Sequence, residues 1–192
     1  MPTEPSPGVP HWERVSTRGG PDLIVFRSRF DRMTHPKSGK EMDRLVLETG
    51  DWVNVVALTP ERHLVVVRQY RFGTEEVTTE VPGGMVDPGE GHEESAQREL
   101  LEETGYVSDR WTYLGYVDPN PAVQTNQMHH WLAEGCRLEA AQELDPGEDI
   151  EVATLTEEEL RAAVSSGEIR HALVLTALHR VFDLRQELGA DA

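Results

Sequence analysis

Between Gly84 and Tyr106 the chain reads GMVDPGEGHEESAQRELLEETGY, and its densest chemistry is the run Arg98-Glu99-Leu100-Leu101-Glu102-Glu103-Thr104-Gly105. Turn residues Asp87-Pro88-Gly89 open a helix expected over about His92 to Thr104, with Gly105 just past its end, where a left-handed cap belongs. Residues three or four apart share a helix face, so Glu99, Glu102 and Glu103 gather into one patch of carboxylates. Locally this is unfavourable. Like charges at that spacing cost a few tenths of a kcal/mol, and the last turn, at the negative end of the helix dipole, favours Lys or Arg. A bound hard cation such as Mg²⁺ or Mn²⁺ would offset the cost, because clustered carboxylate oxygens suit it. A solvated acidic face in a Glu-rich chain is the other reading, and the run by itself does not separate the two.

The elements that must hold this patch can be read around it. Residues 1–20 are rich in Pro, Gly, Ser and Thr and are expected to form a flexible tail. Asp22 to Met33 and Met42 to Glu48 read as strands around the turn sequence His35-Pro36-Lys37-Ser38-Gly39, so residues 21–50 look like a small β-meander. Trp52 to Leu58 and Leu64 to Tyr70 are apolar, β-branched runs joined by Thr59-Pro60-Glu61-Arg62-His63. They predict a hairpin buried on both faces. Glu76 to Val81 is a short strand that leads into Pro82-Gly83-Gly84. After the acidic helix come strands at Trp111 to Asp118, Met128 to Ala133 and Ile150 to Leu155. A helix then begins at Thr156, where Glu159 completes a capping box. A long final helix is expected over Ile169 to Leu188. This order predicts an α/β fold, a mixed sheet between helices, over residues 51–188.

Several positions near the patch have chemistry of their own. Gly83 leaves room for a metal or phosphate to approach the backbone, although an ordinary strand break reads the same. Arg71 ends a strand, and its fork suits phosphate oxygens; a solvated strand-end Arg is the alternative. Glu80, two residues before Pro82, could support the site from behind. Trp52 could stack on a nucleobase or simply fill an interface.

Composition narrows the class of partner. The 192 residues carry 18 Lys and Arg against 35 Asp and Glu, a formal net charge of −17. Such a surface argues against nucleic acid and anionic membrane as partners. An anionic substrate would need a divalent cation and local Arg. The one cysteine, Cys136, cannot form an internal disulfide, which suits a reducing compartment. With no long apolar run and no leader pattern, a cytoplasmic location is expected.

The full spacing resembles the signature box of the Nudix hydrolases. Gly84 is followed after five residues by Glu90, after seven more by Arg98-Glu99, and then by Leu100, Glu102-Glu103 and Gly105. Only Tyr106 departs, at a position where the family usually has an aliphatic residue. The resemblance implies a Nudix-type α/β/α sandwich, with Glu99, Glu103 and the Gly83 carbonyl as metal ligands. Glu102 would be a third ligand or bridge through water, and Arg98 with Glu90 would tie loop to helix. Outside the box, Asp51-Trp52-Val53-Asn54, Gln69-Tyr70-Arg71, Asn120-Pro121-Ala122 and Asn126 are similar to segments of the branch that cleaves ADP-ribose and nucleoside diphosphate sugars. That branch often has Arg where Gln127 stands. The resemblance then implies Mg²⁺-dependent hydrolysis of a nucleotide sugar to a nucleoside monophosphate and a sugar phosphate, with Mn²⁺ as a substitute. Substrate contacts would come from Arg71, Glu80, Trp52 and Asn126. The general base would come from the acidic loop after the box, among Glu143, Asp145, Glu148 and Glu151, with Glu148 preferred at its loop-to-strand junction. A homodimer swapped through the N-terminal meander is implied as well. The rival readings are a nucleoside triphosphate pyrophosphohydrolase and a non-catalytic nucleotide-sensing module.

Overall fold

The computed structural model describes residues 8–185. Three strands come first: β1 (Glu13–Leu23), β2 (Phe26–Thr34) and β3 (Glu41–Glu48). Next, β4 (Trp52–Leu58), β5 (Leu64–Arg71) and β6 (Glu76–Glu80) lead into helix α1 (His92–Thr104). Beyond it lie β7 (Tyr106–Val107), β8 (Arg110–Val117), β9 (Met128–Glu134), β10 (Arg137–Leu138) and β11 (Ile150–Leu155), then helices α2 (Glu157–Ser166) and α3 (Ala172–His179). The chain divides into two compact units. One joins the N-terminal strands to Asp118–Asn126, and the other holds Gly50–Val117 and the chain from Gln127 onward.

In the first unit β1, β2 and β3 form an antiparallel meander. Leu47 N–H donates to the Val123 carbonyl at 2.7 Å, and Thr125 N–H donates to the Leu47 carbonyl at 3.2 Å, so Asp118–Asn126 is bound along β3. The strand expected over Asp22 to Met33 is in fact two strands, which part at Ile24, a residue with φ 61°. Residues 13–20, assigned to a tail by composition, belong to β1, which pairs with β2 through a ladder broken by two register shifts. β1 is almost wholly exposed. Its pairing therefore rests on backbone hydrogen bonds and leaves no apolar alternation to read. The start of the expected tail, residues 1–7, lies outside the described residues.

In the second unit one sheet runs β11-β5-β4-β9-β8, with β6 added to β5. Only β4 and β9 are parallel; the other pairs are antiparallel. Side chains alternate across β4. Val56 and Leu58 pack with Leu160 of α2 and with Val174, Ala177 and Leu178 of α3. Val53, Val55 and Ala57 pack with Ala96 and Leu100 of α1 and with Trp131 of β9. The sheet thus lies between α1 and the α2–α3 pair, an α/β sandwich.

One irregularity in the sheet sets the path of the chain into α1. β4 and β5 pair only at Ala57–Val65 and Leu58–Leu64. β5 then continues against β6, while β4 takes up the chain after β6: Val55 N–H donates to the Pro82 carbonyl at 2.8 Å and Val53 N–H to the Gly84 carbonyl at 2.9 Å. The strands fork, and Val81 to Gly84 crosses the fork.

Two helix ends differ from the sequence reading or bear on the site. α3 spans only Ala172–His179, shorter than the helix expected over Ile169 to Leu188. The apolar residues beyond it, Val181, Phe182 and Leu184, still join the core from a turn, so apolar periodicity outlasted the helix. Residues 186–188 lie outside the described residues. α1 ends at Gly105, in the left-handed region at φ 73°; a side chain there would also meet the Ala140 carbonyl at 2.1 Å. The β7–β10 ladder that follows is two residue pairs long, too short to leave a pattern in sequence.

Leu100 is fully buried where α1 meets the sheet. Leu100→Ala is expected to cost about 2–5 kcal/mol of unfolding free energy, read by urea denaturation followed by circular dichroism.

Candidate active site

Ala96, Leu100 and Glu103 sit at i, i+4 and i+7 on α1, the stripe that faces the sheet. A carboxylate therefore occupies a core position. Glu103 is 5% exposed, and its Oε2 accepts from Gly83 N–H at 2.8 Å, at the crossing of the fork. Burial pushes its pKa up to about 8. The nearby charges of Glu99 and Glu148 push the same way, against the Gly83 N–H and Arg71. Glu99, one turn earlier, is also pushed up by burial, to about 7, with Glu102 and Glu148 adding to the rise and Arg98 opposing it. Its carboxylate lies against Gly84, where a Cβ would stand 2.3 Å from Oε1. Gly84 is thus the only residue type that leaves Glu99 where it is.

Arg98 organises the other side of the patch. Its Nε and Nη2 donate to the two oxygens of Glu90, each at 3.0 Å. Its Nη1 donates to Glu99 Oε1 at 2.9 Å and to Glu102 Oε2 at 3.0 Å, and Nη2 reaches the Met85 carbonyl at 3.2 Å. One guanidinium thus fixes the loop before the helix and two carboxylates on it. Hydrogen bonding from Arg98 holds Glu90 below the usual carboxylate range.

The three helix carboxylates do not converge on one point. Glu99 and Glu102 share Arg98, while Glu103 turns toward Gly83. Among the described residues no three His, Cys, Asp or Glu side chains are grouped as a ready metal cage. The single patch read from helix spacing is resolved into two, because each carboxylate is drawn to the donor nearest it.

Arg71 ends β5, and its Nε and Nη2 donate to Glu80 at 2.8 Å each. Glu80 is 3% exposed and also accepts from Thr78 Oγ1 at 2.6 Å. Burial works to raise its pKa, but Arg71 and Thr78 outweigh burial and hold it low. Glu148 lies in the exposed loop before β11, where Oε2 accepts from Asp145 N–H at 3.3 Å. Its charge registers at Glu99, Glu103 and Arg71, which places it in the same electrostatic neighbourhood. Trp52 is half-buried at the start of β4. Asn126 belongs to the other unit; it is 3% exposed, and neither amide atom has a hydrogen-bond partner among the described residues.

His92, the first residue of α1, is tied to the sheet rather than left to solvent. Trp131 Nε1 donates to its Nδ1 at 3.1 Å, and its ring stacks on His129 with centroids 4.2 Å apart. This joins the start of α1 to β9. The partner stands 39 residues away, so no local pattern announces it.

The donor set is all oxygen: the buried Glu103 and the partly buried Glu99, both with raised pKa, the half-exposed Glu102, and glycine backbone beside them. Hard divalent cations fit such a set.

A NUDIX domain is matched over residues 49–177, and the chain belongs to that family, as one of its pyrophosphohydrolases. Enzymes of this kind generally use divalent metal ions. Among curated relatives, the ADP-ribose pyrophosphatase of Bacillus subtilis is 33% identical over 154 residues, 80% of this chain and 83% of its own. The methanol dehydrogenase activator of Bacillus methanolicus is 32% identical, over 70% of this chain and 73% of its own. The crystal structure of an ADP compounds hydrolase superposes with a TM-score of 0.81 over 92% of this chain and 95% of that one. Its 21% identity makes that a likeness of fold.

The raised pKa of Glu103 fixes how stability depends on pH. Its neutral form is favoured in the folded state, so the folded protein is penalised as pH climbs from the ordinary value of 4.5 through about 8. In metal-free protein Glu103→Gln is expected to raise the Tm at pH 8.5, with the gain shrinking on acidification and vanishing below about pH 4.5. Scanning fluorimetry in EDTA across that range reads it.

Proposed function

We propose that the protein hydrolyses the diphosphate bond of a nucleoside diphosphate sugar of the ADP-ribose class, with Mg²⁺ as cofactor, to a nucleoside monophosphate and a sugar phosphate. The observation that carries this reading is the buried carboxylate of Glu103 with the largely shielded one of Glu99, on a helix whose last turn has no basic residue. A cluster that repels itself in isolation is favourable once a doubly charged ion is added. The curated ADP-ribose pyrophosphatase relative supplies the substrate class.

Glu99, Glu102, Glu103 and the Gly83 carbonyl would hold the cation. Such an ion would neutralise the diphosphate and supply Lewis acidity for the attack of water. Arg98 keeps Glu99 and Glu102 in place and fixes the preceding loop through Glu90. Arg71 is held by Glu80 in a two-point pair, and among the described residues its Nη1 has no partner, which leaves that edge to bind a phosphate oxygen. This local cation matters in a chain of net charge −17. Glu148 is the general base and removes a proton from the attacking water. Trp52 stacks on the nucleobase. The protein acts as a homodimer through the N-terminal meander, in which Val15 and Leu23 of β1 and Ile24 and Val25 of the turn after it are exposed.

A panel of ADP-ribose, UDP-glucose, GDP-mannose and dGTP, with Mg²⁺ and a coupled phosphatase, tests the substrate class. Release from the sugar diphosphates but not from dGTP is expected. Preferred cleavage of dGTP would favour the triphosphate reading, and no release from any would favour the sensing module. Glu103→Gln is expected to abolish turnover with the fold retained, and Glu148→Gln to lower kcat by about 10²–10⁴-fold. Sedimentation showing only monomer would remove the dimer.

A further inference from the structure

The last turn of α1 contains no basic residue, yet its terminal carbonyls have donors. They come from the segment that follows β10. Glu143 N–H donates to the Glu102 carbonyl at 2.9 Å, and Glu139 and Ala140 N–H donate to the Gly105 carbonyl at 2.9 and 3.2 Å. The Glu103 carbonyl is met by a side chain: Gln142 Nε2 donates to it at 2.6 Å. The same nitrogen donates its second hydrogen to the Ile150 carbonyl at 3.1 Å. Ile150 is the first residue of β11, where it pairs with Gln69 of β5.

One amide group therefore joins the peptide of Glu103 to the start of β11. The chain between them, residues 143–149, leaves and returns through a neck that Gln142 closes. Glu148 lies inside that span, in a turn in which its N–H donates to the Asp145 carbonyl at 3.0 Å. A short loop pinned at both ends samples few conformations. The reach of Glu148 toward the α1 carboxylates is then set by the neck rather than by the loop's own sequence.

We propose that Gln142 is a positioning residue: by closing the neck of the acidic loop onto the Glu103 peptide and β11, it holds the Glu148 carboxylate in register with the carboxylates of α1. This rests on the assignment of Glu148 as general base. Gln142 is the only residue of the loop that serves both ends, and it needs its two amide hydrogens to do so. Met has nearly the same length and no donor. Gln142 is itself exposed, so the change leaves no core position empty, and the fold survives.

The test is a double-mutant cycle of wild type, Gln142→Met, Glu148→Gln and the pair, assayed on ADP-ribose with Mg²⁺. Alongside it, Mn²⁺ affinity is measured by electron spin resonance and amide hydrogen exchange over residues 143–149. Gln142→Met is expected to lower kcat by about tenfold, roughly the worth of one net hydrogen bond, with KM little changed. Mn²⁺ affinity should stay at the wild-type value and exchange should quicken within the loop but not in α1. In the Glu148→Gln background the same change should cost nothing further, since a residue that acts through Glu148 has nothing left to position. A wild-type kcat for Gln142→Met, unchanged loop exchange, or an equal further loss in the Glu148→Gln background would overturn the proposal while leaving the base assignment standing. Full turnover by Glu148→Gln alone would remove the base assignment, and Gln142's role with it.

Discussion

Two carboxylates are drawn largely out of water beside a fork in the sheet, and the rest of the second unit is built to make that tolerable. Burying a charge without a partner is costly enough that the group usually neutralises instead. Glu103 and Glu99 show that tendency, with pKa values pushed up to about 8 and about 7. They stay because their backbone is fixed by other contacts. Leu100 and Ala96 anchor α1 to the odd-numbered face of β4, and that register leaves Glu103 no direction but inward. The Gly83 N–H meets it there because β4 has released β5 and taken up Val81 to Gly84. Had the two strands paired along their whole length, neither that donor nor the space for a carboxylate would exist.

Arg98 has a different part in the same problem. It pairs with Glu90, Glu99 and Glu102 together, so a single side chain of α1 couples the loop before the helix to the acids on it. The charge excess of the patch is thereby reduced but not removed. A guanidinium offsets one unit of charge against the three carboxylates it pairs with. The remaining negative potential is what a divalent cation would meet. Arg71 and Glu80 form a second, nearly neutral pair on the neighbouring strands β5 and β6, where the buried Glu80 sets the orientation of the more exposed Arg71. Charge is thus partitioned across the fork, with an excess of carboxylates on α1 and a paired Arg71 on β5.

The loop before β11 completes this arrangement from outside the helix. A helix that ends in Glu102 and Glu103 has a C-terminus its own side chains cannot cap. Neutral donors from residues 139–143 do so, and the segment they belong to also carries Glu148. Capping the helix and placing the loop acid are therefore one structural event. The N-terminal meander follows another logic: its outer strand is held by backbone pairing and ion pairs such as Arg18 with Asp43, with little burial.

Much of this was written in the sequence. The spacing from Gly84 to Gly105 gave the helix, its left-handed cap and the family, because helical periodicity and glycine requirements are local and act within a few residues. The apolar runs Val53 to Leu58 and Leu64 to Val67 gave the buried strands for the same reason, and Thr156 with Glu159 gave the start of α2. What depended on distant partners was decided only by the tertiary structure. β1 left no trace because an exposed strand has no burial pattern. α3 stopped early although its apolar positions continued. Helix geometry put Glu99, Glu102 and Glu103 on one face, but Arg98 and Gly83 separated them. The stacking of His92 on His129 and the two hydrogen bonds that Gln142 donates to Glu103 and Ile150 join residues with no periodic relation. A linear pattern records which side chains one element presents; which donor each of them meets is set by how the elements pack, and here that packing turns on the point where β4 and β5 part.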